Sequence, residues 1–358
     1  METALPCLVG MTTPELEALA FDMGQTRWRG KQLSHHIYRR AAQSFDAMLD
    51  LPQGFRTALA QKFRINPLNI ADRRTSTDGV EKLLVHHGDG QVFECVLLPY
   101  EKRTSCCIST QVGCPMGCTF CATGLGGFDR NLTLGEIVGQ YLLLQSLSAE
   151  RIGHVVFMGM GEPLLNFSNV LAALKLFKEE IGLSYRHLTV STVGLVPQIE
   201  MLAEEKLPIH LALSLHSPFD EIRGTIMPVN HKWPVAEVMN AMKRYQKATR
   251  RKITIEYLLI EGLNDTLEQA KALAKLVHGV PSVINLIPFN YVDTLHGFRR
   301  PSKDRVRAFH RELEALGANV TERVERGHDI AAACGQLSGQ HTGRFAKRSQ
   351  QSALPVLS

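Results

Sequence analysis

From residue 106 onward the apolar positions alternate between two rhythms. Short apolar runs at 106–111, 154–158, 188–191, 210–215, 253–259 and 283–287 read as strands, and stretches with the helical period lie between them. Thr133-x-x-Glu136 is a capping box that opens one such helix, and others are expected near 168–178, 197–203, 234–249 and 267–277. A last helix at 302–316 precedes a short strand at 319–323. Six strand–helix units in series call for parallel strands with right-handed crossovers. The expected fold is α/β, an open six-stranded partial (βα)6 barrel, with a doubly wound sheet as second choice.

The first part of the chain follows other patterns. Residues 1–65 read as helical: Thr13 caps a helix carrying Leu16, Leu19, Ala20 and Met23, and further helices are expected at 31–42 and 52–62. Trp28, Arg29, Lys31, His35, His36, Tyr38, Arg39 and Arg40 mix basic and aromatic character, which suits a small RNA-binding accessory module and equally a plain helical cap. Between 73 and 99 the period is two, and Gly88-Asp89-Gly90 separates 81–87 from 91–98 as in a hairpin. Glu94 stands inside the second strand, either on its solvent face or held in a pocket for a purpose. The resulting division is 1–70 helical accessory, 71–99 hairpin extension, 100–327 α/β core, 328–342 loop and 343–358 a polar, basic, disordered tail.

Composition narrows the class. The chain has 358 residues, 44% hydrophobic and 21% charged, as in a soluble protein. It has no apolar run of membrane-spanning length and no basic segment followed by an apolar core at its start, so it reads as cytoplasmic. The net charge of +5 says little, but Arg27/Arg29/Lys31, Arg39/Arg40, Arg73/Arg74, Lys243/Arg244, Arg250/Arg251/Lys252 and Arg299/Arg300 form clusters, each suited to phosphates or to solvent. Eight cysteines are too few for a disulfide scaffold, and their clustering points to metal and redox chemistry.

Cys114, Cys118 and Cys121 stand in a CxxxCxxC spacing. Three thiolates on one short loop can hold three irons of a cubane cluster, leaving the fourth open for a ligand. Structural zinc would want a fourth ligand, and no second pair follows at finger spacing. Strand ends hold the other candidates. Gly159-Met160-Gly161-Glu162-Pro163 follows the second strand, where Gly161 lets a ligand approach and Glu162 can receive an ammonium group. Ser191 ends the third strand, Ser214-Leu215-His216 the fourth, and Pro288-Phe289-Asn290 the sixth. Finally, Gly327-His328-Asp329-Ile330-Ala331-Ala332-Ala333-Cys334-Gly335-Gln336-Leu337 sets one cysteine among small residues, as an accessible thiol or a packed one.

The cysteine spacing resembles that of the radical S-adenosylmethionine (SAM) superfamily. GxDIxAACGQL, together with CxxxCxxC, GMGEP and SLH, resembles the RlmN/Cfr family of radical-SAM methyltransferases over about 94–337, and Trp28-Arg29-Gly30-Lys31-Gln32 resembles the start of that family's accessory domain. The resemblance implies a radical-SAM-type barrel, a [4Fe-4S] cluster on Cys114, Cys118 and Cys121, and SAM held by Gly161, Glu162, Ser191, Ser214, Leu215, His216 and Asn290. It implies methylation of an adenosine ring carbon in ribosomal RNA, with transfer RNA a further substrate in some relatives. Cys334 would accept a methyl group from one SAM, a second SAM would yield the radical that activates it, and the carbon would add to adenine. Glu94 would remove the ring proton, and Cys107, seven residues before Cys114, would release product through a transient disulfide with Cys334. Cys106 would face the other way on a strand, and Cys7 and Cys95 would be structural. Carbon 2 is the expected target and carbon 8 the alternative. A one-electron donor such as flavodoxin and a monomeric state are also expected. Two other readings compete: a radical-SAM enzyme acting on a small molecule or protein, and a zinc-dependent RNA-binding module.

Overall fold

The computed structural model describes residues 5–292 and 297–338, and the tail from Gly343, expected to be disordered, lies outside them. Helix α1 (Thr13–Asp22) starts one residue away from the cap expected for it. Thr12 is the N-cap, and Glu15 accepts from its N–H at 2.6 Å and its hydroxyl at 2.8 Å. Thr13 instead meets Ser34 of α2 and donates through its hydroxyl to Glu180 Oε2 at 2.5 Å. Helix α2 (Arg27–Ser34) begins earlier than expected and runs into a π turn, His35–Arg39, while α3 (Gln53–Lys62) stands where Pro52 predicts. A Cβ on Gly30 would lie 2.3 Å from Glu17 Cα, so the close crossing of α1 and α2 requires glycine there.

The chain then opens its large sheet with β1 (Asn69–Thr75), β2 (Glu81–His86), β3 (Val92–Tyr100) and β4 (Arg103–Cys107). A separate two-stranded ribbon, β5 (Gln111–Gly113) with β6 (Phe128–Asn131), flanks short α4 (Ala122–Leu125). The rest alternates: α5 (Leu134–Leu147), β7 (Ile152–Phe157), α6 (Phe167–Leu176), β8 (Leu188–Thr192), α7 (Val196–Glu204), β9 (His210–Ser214), α8 (Asp220–Ile226), α9 (Val235–Thr249), β10 (Ile253–Leu259), α10 (Leu267–Val277), β11 (Ser282–Pro288), α11 (Lys303–Ala315) and β12 (Val320–Glu322).

The ten-stranded sheet runs β1-β2-β3-β4-β7-β8-β9-β10-β11-β12. Pairing is antiparallel from β1 to β4 and parallel from β4 to β12. The strand order follows the chain without reversal, which excludes the doubly wound alternative. The hairpin extends the sheet, because β3 pairs with β4 through Val96↔Cys107 and Leu97↔Cys106.

Strand β10 shows how the sequence sorts its faces. Ile253, Ile255, Tyr257 and Leu259 are fully buried in the main core, whereas Glu256 and Leu258 line a cavity on the opposite face. The period-two alternation thus separates the packing face from the working face.

Candidate active site

The working face converges on a cavity of about 150 Å³. Phe157 reaches it from the end of β7 and Met158 from just after it, Ser191 and Thr192 from β8, Ser214 from the end of β9 and His216 from just beyond, Glu256 and Leu258 from β10, Asn290 from two residues beyond β11 and Arg323 from beyond β12. Cys121 and Cys334 complete its wall.

Gly161 carries φ +103°, and a Cβ there would fall 2.6 Å from Gln111 Cβ, so only glycine makes the turn after β7. The turn delivers Glu162, whose carboxylate accepts from Leu164 N at 3.0 Å and Val193 N at 2.9 Å. Burial nevertheless dominates and pushes this carboxyl up to about 7. Ser191 Oγ and Ser214 Oγ stand 3.5 Å apart on neighbouring strands. His216 has a left-handed backbone, φ +59°, and its Nδ1 accepts from Leu258 N at 2.9 Å, which leaves the proton on Nε2. Burial first, then the charge of Arg223, lowers this imidazole to about 3, so it is neutral. Leu215 is placed differently from its neighbours: its side chain is fully buried in the core, its N–H donates to Glu256 O and its carbonyl accepts from Arg223 Nε.

Burial raises the Cys114 and Cys118 thiols, and the nearness of the loop's other cysteines raises them further. Among the described residues no three His, Cys, Asp or Glu side chains converge on a single ion. A cubane cluster, which takes each sulfur on a different iron, asks for no such convergence. The loop is tied to the distant cysteine segment: Ala122 N donates to Gly335 O at 2.8 Å, and Thr123 Oγ1 to Leu337 O at 2.5 Å. Asn290 Nδ2 donates to Cys334 O at 3.1 Å.

A second, smaller cavity shares Met158, Ile287, Asn290, Arg323 and Cys334 with the first and adds Cys107. The two cysteines paired by the resemblance therefore line one space. All eight cysteines are free thiols, so the Cys107–Cys334 disulfide is not formed here. Cys106 faces away, towards Cys95 and Tyr141. Glu94 lies on the same face of β3 as Val96, the partner of Cys107, but lines neither cavity. It is covered by the 331–338 segment, with Lys82 Nζ 2.8 Å from Oε1 and Ser338 N donating to Oε2 at 2.7 Å.

Three site residues carry no sequence signal that stands out. Arg223 is fully buried, and its guanidinium bonds Val193 O, Leu215 O and Asn230 Oδ1, stitching the β8 and β9 turns to α8 beside Cys118. Glu256 and Arg323 lie in the cavity wall. Several basic clusters are engaged internally: Arg73 on Glu81, Arg74 on Asp72, Arg244 on Glu200, Arg300 on Glu325.

A cysteine loop after the first parallel strand, a glycine–glutamate turn after the second and a cavity ringed by strand ends define a radical SAM protein. The family model described as "Radical SAM superfamily" matches residues 108–277, and "Ribosomal RNA large subunit methyltransferase N-terminal domain" matches 7–65. Proteins named "Probable dual-specificity RNA methyltransferase RlmN" from Symbiobacterium thermophilum and Thermus thermophilus are each 46% identical, covering 94% and 91% of this chain and 93% of their own lengths. The crystal structure of a radical SAM methyltransferase from Sphaerobacter thermophilus superposes with a TM-score of 0.90 at 40% identity, covering 94% of this chain and all of that one. The chain belongs to the RlmN family of SAM-dependent methyltransferases.

Proposed function

We propose that the chain methylates a ring carbon of an adenosine in 23S ribosomal RNA, carbon 2 in preference to carbon 8, with Cys334 and Cys107 as its two working thiols. The observation that carries this reading is the pair of cavities sharing Cys334, one lined by Cys121 and the strand-end groups, the other by Cys107. The RlmN names of the relatives support carbon 2, and their dual specificity supports transfer RNA as a second substrate.

Cys114, Cys118 and Cys121 would hold a [4Fe-4S] cluster, which with SAM supplies a methyl group, one electron and a hydrogen-abstracting radical. The residues of the chain do the rest. Glu162 receives the SAM ammonium, Gly161 lets its backbone approach, and the Ser191 and Ser214 hydroxyls orient the ribose. Leu215 sets the frame between Ser214 and neutral His216, which offers Nε2–H as a donor. Asn290 holds the carbonyl of Cys334, the residue that lines both cavities. Cys334 would take the methyl group as a thiolate; after the activated carbon adds to adenine, the adduct would give back one electron and Glu94 would accept the ring proton. Cys107 would then attack the Cys334 sulfur, forming the Cys107–Cys334 disulfide as the sulfur–carbon bond breaks and the departing carbon takes up a proton, and an external thiol reductant would reopen the disulfide. Glu94 is covered by the 331–338 segment, so that segment must lift for the carboxylate to meet the base.

The convergence of β7 to β12 on one cavity supports a partly closed barrel. The helical N-terminal unit supports an RNA-binding role: Trp28 is 62% exposed and Phe21 60%, with Arg27 stacked over Phe21 at 5.3 Å. No helix among the described residues is long and apolar enough to cross a membrane. A cytoplasmic monomer served by a flavodoxin-like donor fits such a substrate.

The test uses anaerobically reconstituted protein, SAM with a deuterated methyl group, a reductant and unmodified large-subunit rRNA. A 2-methyladenosine retaining two of its methyl deuteriums bears the proposal out. An 8-methyl product moves the target to carbon 8. SAM cleavage without methyladenosine shifts the reading to a small-molecule or protein substrate.

A further inference from the structure

Arg323 stands where the two cavities meet. Its backbone N–H donates to Leu286 O at 2.9 Å, which pins it beside β11, and its guanidinium contacts the Met158 sulfur at 3.8 Å. Its neighbours Arg300 and Arg326 are ion-paired with Glu325 and Asp78, whereas Arg323, among the described residues, pairs with no carboxylate. Arg323 lines the first cavity together with Cys334 and Glu256 of β10, and the second together with Cys334, Cys107 of β4 and Tyr100 at the end of β3, so these are the acidic groups around it. Glu256 is partly engaged elsewhere, since Asn285 Nδ2 donates to its Oε2 at 2.7 Å.

Burial works against both thiols. It drives Cys107 up to about 12 and raises Cys334; the charge of Cys334 raises Cys107 further, those of Glu256 and Cys121 raise Cys334 further, and Arg323 is the positive charge that pulls each of them back. Both must act as thiolates, since the thiolate is the nucleophile in methyl acceptance and in disulfide formation. A guanidinium suits such a place, because it stays charged when buried and is only weakly hydrated.

We propose that Arg323 is the shared counter-ion of the two working thiols, positioned by Met158 and the end of β12 to favour first the Cys334 thiolate and later that of Cys107. The inference rests on the two-cysteine reading above. Arg323 contributes charge alone: the bonds made and broken are those of the two cysteines, and no proton or electron passes through the guanidinium.

The test compares Arg323→Met and Arg323→Lys with the unaltered holoenzyme, following the covalent protein–RNA adduct on denaturing gels across a pH series. A nearby cation favours a charged partner by about one to two pKa units, so Arg323→Met should resolve the adduct about 10- to 100-fold more slowly at neutral pH. Its rate should keep climbing to a higher pH than that of the unaltered enzyme, and Arg323→Lys should restore most of it. Should Arg323→Met form no adduct, the intact mass is read instead: Cys334 methylated only at raised pH supports the proposal, and Cys334 unmethylated at every pH in a protein that melts normally overturns it. An unchanged pH profile in Arg323→Met, or an Arg323→Lys variant as slow as Arg323→Met, also overturns it. Cys107→Ala separates the two levels, because its failure to accumulate adduct would count against the two-cysteine route itself.

Discussion

Lys82 Nζ lies 2.8 Å from Glu94 Oε1, and both side chains are more than nine-tenths buried. The other oxygen of Glu94 accepts from Ser338 N, and Lys82 also donates to Ala331 O at 3.1 Å. The carboxylate proposed as base is thus clamped between strand β2 and the segment that carries Cys334. Removing one partner of a buried pair strands the other charge, at about 3–5 kcal/mol. Lys82→Met should lose stability on that scale in urea unfolding. The double variant Lys82→Met/Glu94→Leu should recover most of it while failing to turn over. A single variant as stable as the parent would show that the pair contributes nothing.

Glu162 predicts a pH dependence of SAM binding. Its folded carboxyl titrates near 7, above the ordinary 4.5, because burial outweighs the amide hydrogen bonds it accepts. The ionised form that attracts an ammonium is therefore present above pH 7 and lost as the pH falls through it. Calorimetry should show SAM binding about fivefold tighter at pH 8 than at pH 6: ionised Glu162 rises about tenfold, one unit either side of the midpoint, and about half of that is offset because the ligand's own α-ammonium titrates near pH 8. Glu162→Gln should bind weakly with that step removed. The stability of the ligand-free protein moves the opposite way: the folded state keeps a proton that the unfolded chain releases, so stability declines as pH rises from about 4.5 to 7.

Much of this site is legible in the amino-acid sequence, because its parts obey periodicity. Ser191 and Ser214 lie at the ends of strands whose alternation is plain, Asn290 stands two residues beyond another, and the Thr133–Glu136 capping box stands as expected. At α1 the signal is present one residue earlier than expected, since Thr12-x-x-Glu15 fits the capping box and Thr13 does not. Strand β1 gives little warning, because Asn-Ile-Ala-Asp-Arg-Arg-Thr is largely exposed and carries few apolar residues. Arg223, Glu256 and Arg323 are illegible for a different reason. A charged side chain in sequence reads as surface, and only the folded chain shows which charges are surrounded by carbonyls or thiols. Arg323 in particular sits in Thr-Glu-Arg-Val-Glu-Arg, indistinguishable there from a solvated run.

Arg223 should be essential to the cysteine loop without touching substrate. Its guanidinium satisfies carbonyls at the ends of β8 and β9, and burial lowers it to about 10 without discharging it at neutral pH. Arg223→Leu leaves those carbonyls without their donor, at about 1–3 kcal/mol for each buried group so stranded. Thermal melting should drop accordingly, and reconstituted protein should carry less iron per chain because Cys118 packs beside this arginine. Arg223→Lys should rescue little, since one ammonium cannot span the same acceptors. Full iron content in Arg223→Leu would show that Cys118 is held by other means.

Cys106 and Cys107 offer the sharpest contrast, because adjacent residues on β4 point to opposite faces. Cys106 is fully buried against Cys95 and Tyr141, and Cys107 lines the cavity that Cys334 shares. Cys106→Ala should therefore cost about 1 kcal/mol of stability and leave multiple turnover intact. Cys107→Ala should fold normally and proceed through the first covalent event, then stop with RNA attached, since no thiolate remains to attack the Cys334 sulfur. Labelled RNA on a denaturing gel reads both outcomes at once, with a retarded band for Cys107→Ala and none for Cys106→Ala. The opposite pattern would mean that β4 presents its other face during catalysis, and with it the pairing of Val96 with Cys107 would have to slip by one residue.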